Sequence, residues 1–88
     1  MASPDKIQVT VRYFAAARAA AGADSETLAL RPGTTVAELV KGLAGRDEHL
    51  ANVLNRCSYL RDGIAVRDET IGLGSGDKID VLPPFAGG

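Results

Sequence analysis

The chain has 88 residues, 45% of them hydrophobic and 24% charged, with a formal net charge of −1. That length supports one hydrophobic core, and 10 Lys+Arg against 11 Asp+Glu lacks the basic excess that general nucleic-acid binding needs. The single cysteine, Cys57, excludes an intrachain disulfide framework and a Cys-rich metal site.

Met1 to Lys6 contain no apolar run of the kind a signal peptide needs. No stretch approaches the ~18–20 apolar residues of a membrane span. A soluble cytoplasmic protein is expected, with neither nucleic acid nor membrane as a partner.

Ile7, Val9, Val11 and Tyr13 alternate with Gln8, Thr10 and Arg12, the period of a strand with one buried face. Ala15 to Ala21, nearly all alanine around Arg18, predict a short helix that Gly22 ends. Thr27 to Leu30 predict a second strand with Leu28 and Leu30 on one face, closed by Arg31-Pro32-Gly33. Thr35 and Glu38 then match a capping box, each side chain satisfying a free N–H of a first helical turn. Val36, Leu39, Val40 and Leu43 make one apolar stripe behind it, and Gly45 is the expected end. Leu50, Val53 and Leu54 predict a further short helix around 48–54.

Ser58–Arg61 and Ile64–Val66 flank Asp62-Gly63, a two-residue hairpin signal. The glycine-rich segment from Gly72 to Lys78 fails the phosphate-loop pattern: position 77 is Asp, Ile79 follows Lys78, and a strand rather than a helix comes next. A turn feeding the last strand, Lys78 to Leu82, is the better reading. The order is strand, short helix, strand, long helix, short strands. A mixed sheet of four to five strands crossed by one main helix describes an α+β β-grasp, the ubiquitin-like architecture.

The ending Leu82-Pro83-Pro84-Phe85-Ala86-Gly87-Gly88 carries the chemistry. Residues 1–82 read as the domain and 83–88 as a flexible reactive tail. Gly87 has no side chain to block a narrow tunnel, and Ala86 is small for the same reason. The Gly88 carboxylate is then the reacting group, presented inside another protein's active site. Phe85 is expected to anchor the docked tail, the other reading being a ring folded onto its own sheet. Pro83 and Pro84 end the strand and lower the entropy lost on docking.

Phe14, on the opposite parity of its strand, belongs either to the core on the helical side or to an exposed apolar patch for which Leu60 and Leu82 are also candidates; Phe14 and Leu60 join the tail as partner-binding residues. Arg12, Arg18, Arg61 and Arg67 could contact an acidic partner, but a solvated face is preferred for each. His49 reads as a surface histidine, and Cys57 as a small buried hydrophobe rather than a reactive thiol. Tyr13 is expected in the core.

Val11-Arg12-Tyr13-Phe14-Ala15 with Arg18 and Gly22, Thr35-Val36-Ala37-Glu38-Leu39, and Gly76-Asp77-Lys78 with Val81-Leu82-Pro83-Pro84-Phe85-Ala86-Gly87-Gly88 resemble the small subunits of molybdopterin synthase, of the MoaD/ThiS sulfur-carrier family. The likeness spans roughly Ile7 to Gly88. The family's Val-Asn-Gly-like turn is replaced by Tyr59-Leu60-Arg61-Asp62-Gly63, and Asn52 to Ser58 match less well.

The resemblance implies that an E1-like adenylating enzyme uses ATP to activate Gly88, that a sulfur donor protein converts it to a thiocarboxylate, and that the large synthase subunit takes the tail and passes sulfur to cyclic pyranopterin monophosphate. ATP then belongs to the activating partner, and this chain holds no cofactor or metal. By itself the protein is a cosubstrate. The alternatives are a sulfur carrier for thiazole, cysteine or tRNA thiolation, a ubiquitin-like modifier joined to lysines through Gly88, and a β-grasp binding module with an inert tail.

Overall fold

The computed structural model describes residues 5–84. Strands β1 (Ile7–Tyr13), β2 (Ser25–Leu30), β3 (Ser58–Arg61), β4 (Ile64–Ala65) and β5 (Lys78–Leu82) form one sheet in the order β2-β1-β5-β3-β4. β1 and β5 run parallel at its centre, and the other neighbours are antiparallel. Helices α1 (Ala16–Ala21), α2 (Val36–Ala44) and α3 (Glu48–Leu54) complete the element order. The expected β-grasp is present, with two short helices accompanying the main one.

The alternation in β1 does what its period requires. Val9, Val11 and Tyr13 are buried, and register places Val11 beside Ile79 and Tyr13 beside Val81. These residues meet Val36, Leu39 and Leu43 of α2, Leu50 and Leu54 of α3, and Ala17 of α1 in one core. α2 begins as expected: the Thr35 hydroxyl accepts the Glu38 N–H at 3.1 Å, and the Glu38 carboxylate accepts the Thr35 N–H at 3.0 Å. Gly22 takes φ 76° at the end of α1, a conformation that costs a residue with a Cβ.

The hairpin turn forms at Asp62-Gly63, both with positive φ of 49° and 84°, as a two-residue primed turn requires. β2 extends two residues earlier than its sequence pattern, starting at Ser25, because Ser25 and Glu26 pair with Arg12 and Val11. Leu73, which the glycine-rich stretch hid, is buried in the core. Its N–H donates to the Thr34 carbonyl at 2.7 Å, pinning that loop against the start of α2. No described helix is long and apolar enough to cross a membrane.

Candidate functional site: the strand exit and the open sheet face

β5 lies between β1 and β3, and its last residue, Leu82, leads into Pro83 and Pro84. The exit is therefore held from both sides. Val81 has no exposed surface, and it pairs with Tyr13 and Tyr59. The Tyr59 hydroxyl donates to the Leu54 carbonyl at 3.0 Å, joining β3 to the end of α3. The Tyr13 hydroxyl donates to Glu26 at 2.7 Å, and Arg46 Nη1 donates to both oxygens of the same carboxylate. The bond from Arg46 holds the Glu26 carboxyl below its ordinary range, while burial pushes the Tyr13 hydroxyl well above its own.

The helices cover one face of the sheet, and strand parity sets the other. On that open face Gln8, Thr10 and Arg12 of β1 stand with Ser25, Thr27 and Ala29 of β2, Lys78, Asp80 and Leu82 of β5, Ser58 and Leu60 of β3, and Ala65 of β4. Phe14 extends the parallel ladder by donating its N–H to the Val81 carbonyl at 3.2 Å, and it is 40% exposed. Ala15 then turns the chain into α1 at φ 50°, strained for a residue with a Cβ.

Of the three apolar candidates, Phe14 is exposed and Leu60 and Leu82 are half-buried. Register and ladder place all three on the open face near the strand exit. Pro83 is half-buried and Pro84 exposed, beside a groove of about 370 Å³ lined also by Ala16, His49, Asn52, Val53 and Arg56. Phe85, Ala86, Gly87 and Gly88 lie outside the described residues. A second apolar concavity, lined by Val36, Ile64, Val66 and Ile71, sits where β3 and β4 meet the start of β5, away from the exit.

Arg12, Arg18 and Arg67 are exposed, as the solvated-face reading expects, and Arg61 is half-buried; three of the four also make ion pairs. Arg12 binds Asp80 through two bonds, Arg18 Nη1 lies 3.5 Å from Asp24, and Arg61 Nη2 lies 2.7 Å from Asp77. Arg67 is exposed and in no ion pair among the described residues. Asp77 also accepts the Gly74 N–H at 2.7 Å, so the glycine-rich segment is a turn braced by its own carboxylate, feeding β5. Sequence reasoning missed Asp80, which is 6% exposed yet lies on the open face. Its one available signal was an acid at the polar parity of a strand otherwise built of Ile79, Val81 and Leu82. His49 is exposed on α3. The Cys57 thiol is half-buried, donates to the Val53 carbonyl, and is pushed up by burial, all against a reactive role.

A β-grasp body with a diglycine-ending tail after its central strand agrees with the comparison of families. The sequence profile of the ThiS family matches residues 11–88. The chain belongs to the ThiS family.

Among ThiS-family relatives, the molybdopterin synthase sulfur carrier subunit of Homo sapiens is 32% identical over 83 residues, covering 92% of this chain and 94% of that protein. The solution structure of the small archaeal modifier protein 1 from Methanosarcina acetivorans has a TM-score of 0.76 and 27% identity, over 94% of this chain and 98% of that one. A complex of subunits 1 and 2 of the molybdopterin-converting factor from Helicobacter pylori 26695 contains a chain of the same fold, with a TM-score of 0.68 and 23% identity, over 93% of this chain and all of that one.

Proposed function

We propose that this protein is the sulfur carrier subunit of a molybdopterin synthase, with residues 1–82 as the docking body and 83–88 as the reactive tail. The observation that carries the reading is the near-full-length likeness to the human sulfur carrier subunit. The geometry supports it: a central strand leads into Pro83 and Pro84 beside an open sheet face that carries Phe14, Leu60 and Leu82.

The chemistry follows from the terminal carboxylate. Such a group ordinarily titrates at ~3.3–3.7, so it is an anion at neutral pH and a poor electrophile. An E1-like enzyme activates it with ATP, forming the Gly88 acyl-adenylate and releasing pyrophosphate. The persulfide of a sulfur donor protein then displaces AMP to give an acyl disulfide, and a second thiol cleaves it, leaving the thiocarboxylate and a disulfide on the donor side. Gly87 and Ala86 pass a narrow tunnel, Phe85 anchors the docked tail, and Pro83 and Pro84 keep the exit extended. Six residues beyond Leu82 reach at most ~20 Å, so the body must seat closely on the large subunit for Gly88 to meet cyclic pyranopterin monophosphate. Phe14, Leu60 and Leu82 form that seat. Each product takes two sulfurs, so the carrier leaves, is recharged and returns.

A second reading, conjugation to lysines through Gly88, is favoured by the likeness to the Methanosarcina acetivorans modifier protein. Intact mass spectrometry of the protein drawn from its own cells with its bound partners separates the two. One Gly88 oxygen replaced by sulfur, with a large synthase subunit alongside, is expected. Gly88 joined to lysines favours the modifier. A tail left unmodified by ATP, the adenylating enzyme and a sulfur donor together defeats the sulfur-carrier reading.

A further inference from the structure

One row crosses all five strands of the open face: Ala65, Leu60, Asp80, Arg12 and Ser25. At its centre Arg12 Nε donates to Asp80 Oδ1 at 2.6 Å and Arg12 Nη2 to Oδ2 at 2.8 Å. The Asp80 side chain is 9% exposed, but that of Arg12 is 47% exposed. The Phe14 ring centroid lies 5.7 Å from the guanidinium carbon, within cation–π range. Leu60 lies beyond Asp80 in this row and Leu82 one row further along β5, so an apolar patch borders, on one side, a guanidinium held by Asp80 and lying against the Phe14 ring.

A guanidinium has two edges that match a carboxylate bidentately. Asp80 takes the Nε–Nη2 edge, leaving the Nη1–Nη2 edge for another acceptor. The charge around it is mixed, with Asp80 on one edge and the exposed Asp24 and its partner Arg18 lining the same concavity. Among the strand residues of this face, Arg12 and Lys78 are cations and Asp80 is the one acid, whereas the whole chain carries −1. A purely apolar surface laid over the row would strip water from the remaining N–H donors and replace none of its hydrogen bonds, an unfavourable exchange. A basic surface would be repelled.

We propose that Arg12 selects the protein that docks here: the large synthase subunit presents a carboxylate to the outer edge of Arg12, inside a contact otherwise made by Phe14, Leu60 and Leu82. Asp80 is the positioning residue that aims the guanidinium. The inference rests on the reading of this face as the large-subunit seat, and it adds the sign and chemistry of the partner surface. Carriers with the same tail are then told apart by what their sheet faces present beside it.

Calorimetric titration of the large subunit from the same organism tests it at several salt concentrations. The double variant Arg12→Gln/Asp80→Asn keeps a neutral hydrogen-bonding pair and leaves no buried charge alone; a thermal melt checks its fold. It is expected to bind about 30-fold more weakly or worse, the scale for losing one side of a covered charge pair, and with a shallower salt dependence. Arg12→Lys keeps the charge but loses the fork, and is expected to retain the salt dependence while still losing affinity. A folded double variant that binds as tightly as the unaltered protein, with the same salt dependence, overturns the role of Arg12 and leaves the sulfur-carrier reading standing. No binding by the unaltered protein overturns both.

Discussion

Phe14→Ala separates the docking face from the core. Phe14 is 40% exposed on the open face. A phenylalanine offers about 200 Å², so roughly 80 Å² remains for a partner to cover, worth about 2 kcal/mol at ~25 cal/mol per Å². That corresponds to a loss of about 30-fold in Kd, read by calorimetric titration against the large synthase subunit. The variant also gives up packing within the body and the contact with Arg12, so its melting temperature falls as well. Thr35→Ala is the control for that loss. It removes the capping box on the helical side and costs about 1 kcal/mol of stability, or ~4–8 °C in a domain of this size, without touching the open face. It should bind with unaltered affinity. Equal affinity for Phe14→Ala and the unaltered protein, or an equal loss in Thr35→Ala, refutes the assignment of this face.

Deleting Gly88 should abolish sulfur transfer, read as the thiocarboxylate mass after incubation with ATP, the adenylating enzyme and a sulfur donor, while the melting temperature stays within ~1 °C, as expected for the loss of a residue that has no side chain. Glu26→Gln should cost on the order of 1–3 kcal/mol at pH 7, the scale of a hydrogen bond to a charged group. The Glu26 carboxyl is depressed below its ordinary value of 4.5 chiefly by the bond from Arg46. Its contribution is therefore present above that value and is lost as pH falls through the lower folded pKa; urea titrations at a series of acidic pH values should show the two proteins converging. Gly63→Ala forces a Cβ into φ 84° and should cost about 1–2 kcal/mol, seen as a lower urea midpoint with unchanged slope.

The parts of the fold written in local signals were legible. Thr35 and Glu38 are three residues apart, and so is the geometry they make. Asp62-Gly63 announced its turn because a primed hairpin turn demands positive φ at both central residues. Arg12 and Asp80 are 68 residues apart and meet only because β1 and β5 pair in parallel at one register. Nothing local signals that pairing, so Arg12 is read correctly as exposed while its bond to the covered Asp80 is not visible. Leu73 was hidden for the opposite reason: its neighbours Gly72 and Gly74 signal a loop, and the tertiary bond to Thr34 that carries it inward has no sequence signature. The apolar candidates at the site fared better. Phe14 and Leu82 were assigned by strand parity, and parity survives any choice of partner strand.

The placement of the tail on β5 has a mechanical consequence. An edge strand is bonded along one side only and frays more readily. β5 is bonded along both, and Ile79 and Val81 are buried beneath it. The base of the tail is therefore as stiff as the domain, and the distance Gly88 can travel is set by residues 83–88 alone. A tail of that reach can enter a partner's pocket only when the body is already seated. The proposed seat lies one row from the exit: Leu82 is both the last residue of β5 and part of the apolar patch on the open face, beside Phe14. Docking and insertion are then a single event, governed by the same few residues. Because recharging requires release, the face cannot bind too tightly. A small apolar patch beside a partly solvated ion pair would meet both demands: on the proposed docking, Arg12 and Asp80 add selectivity for an acidic partner, while the water they lose offsets part of the apolar gain.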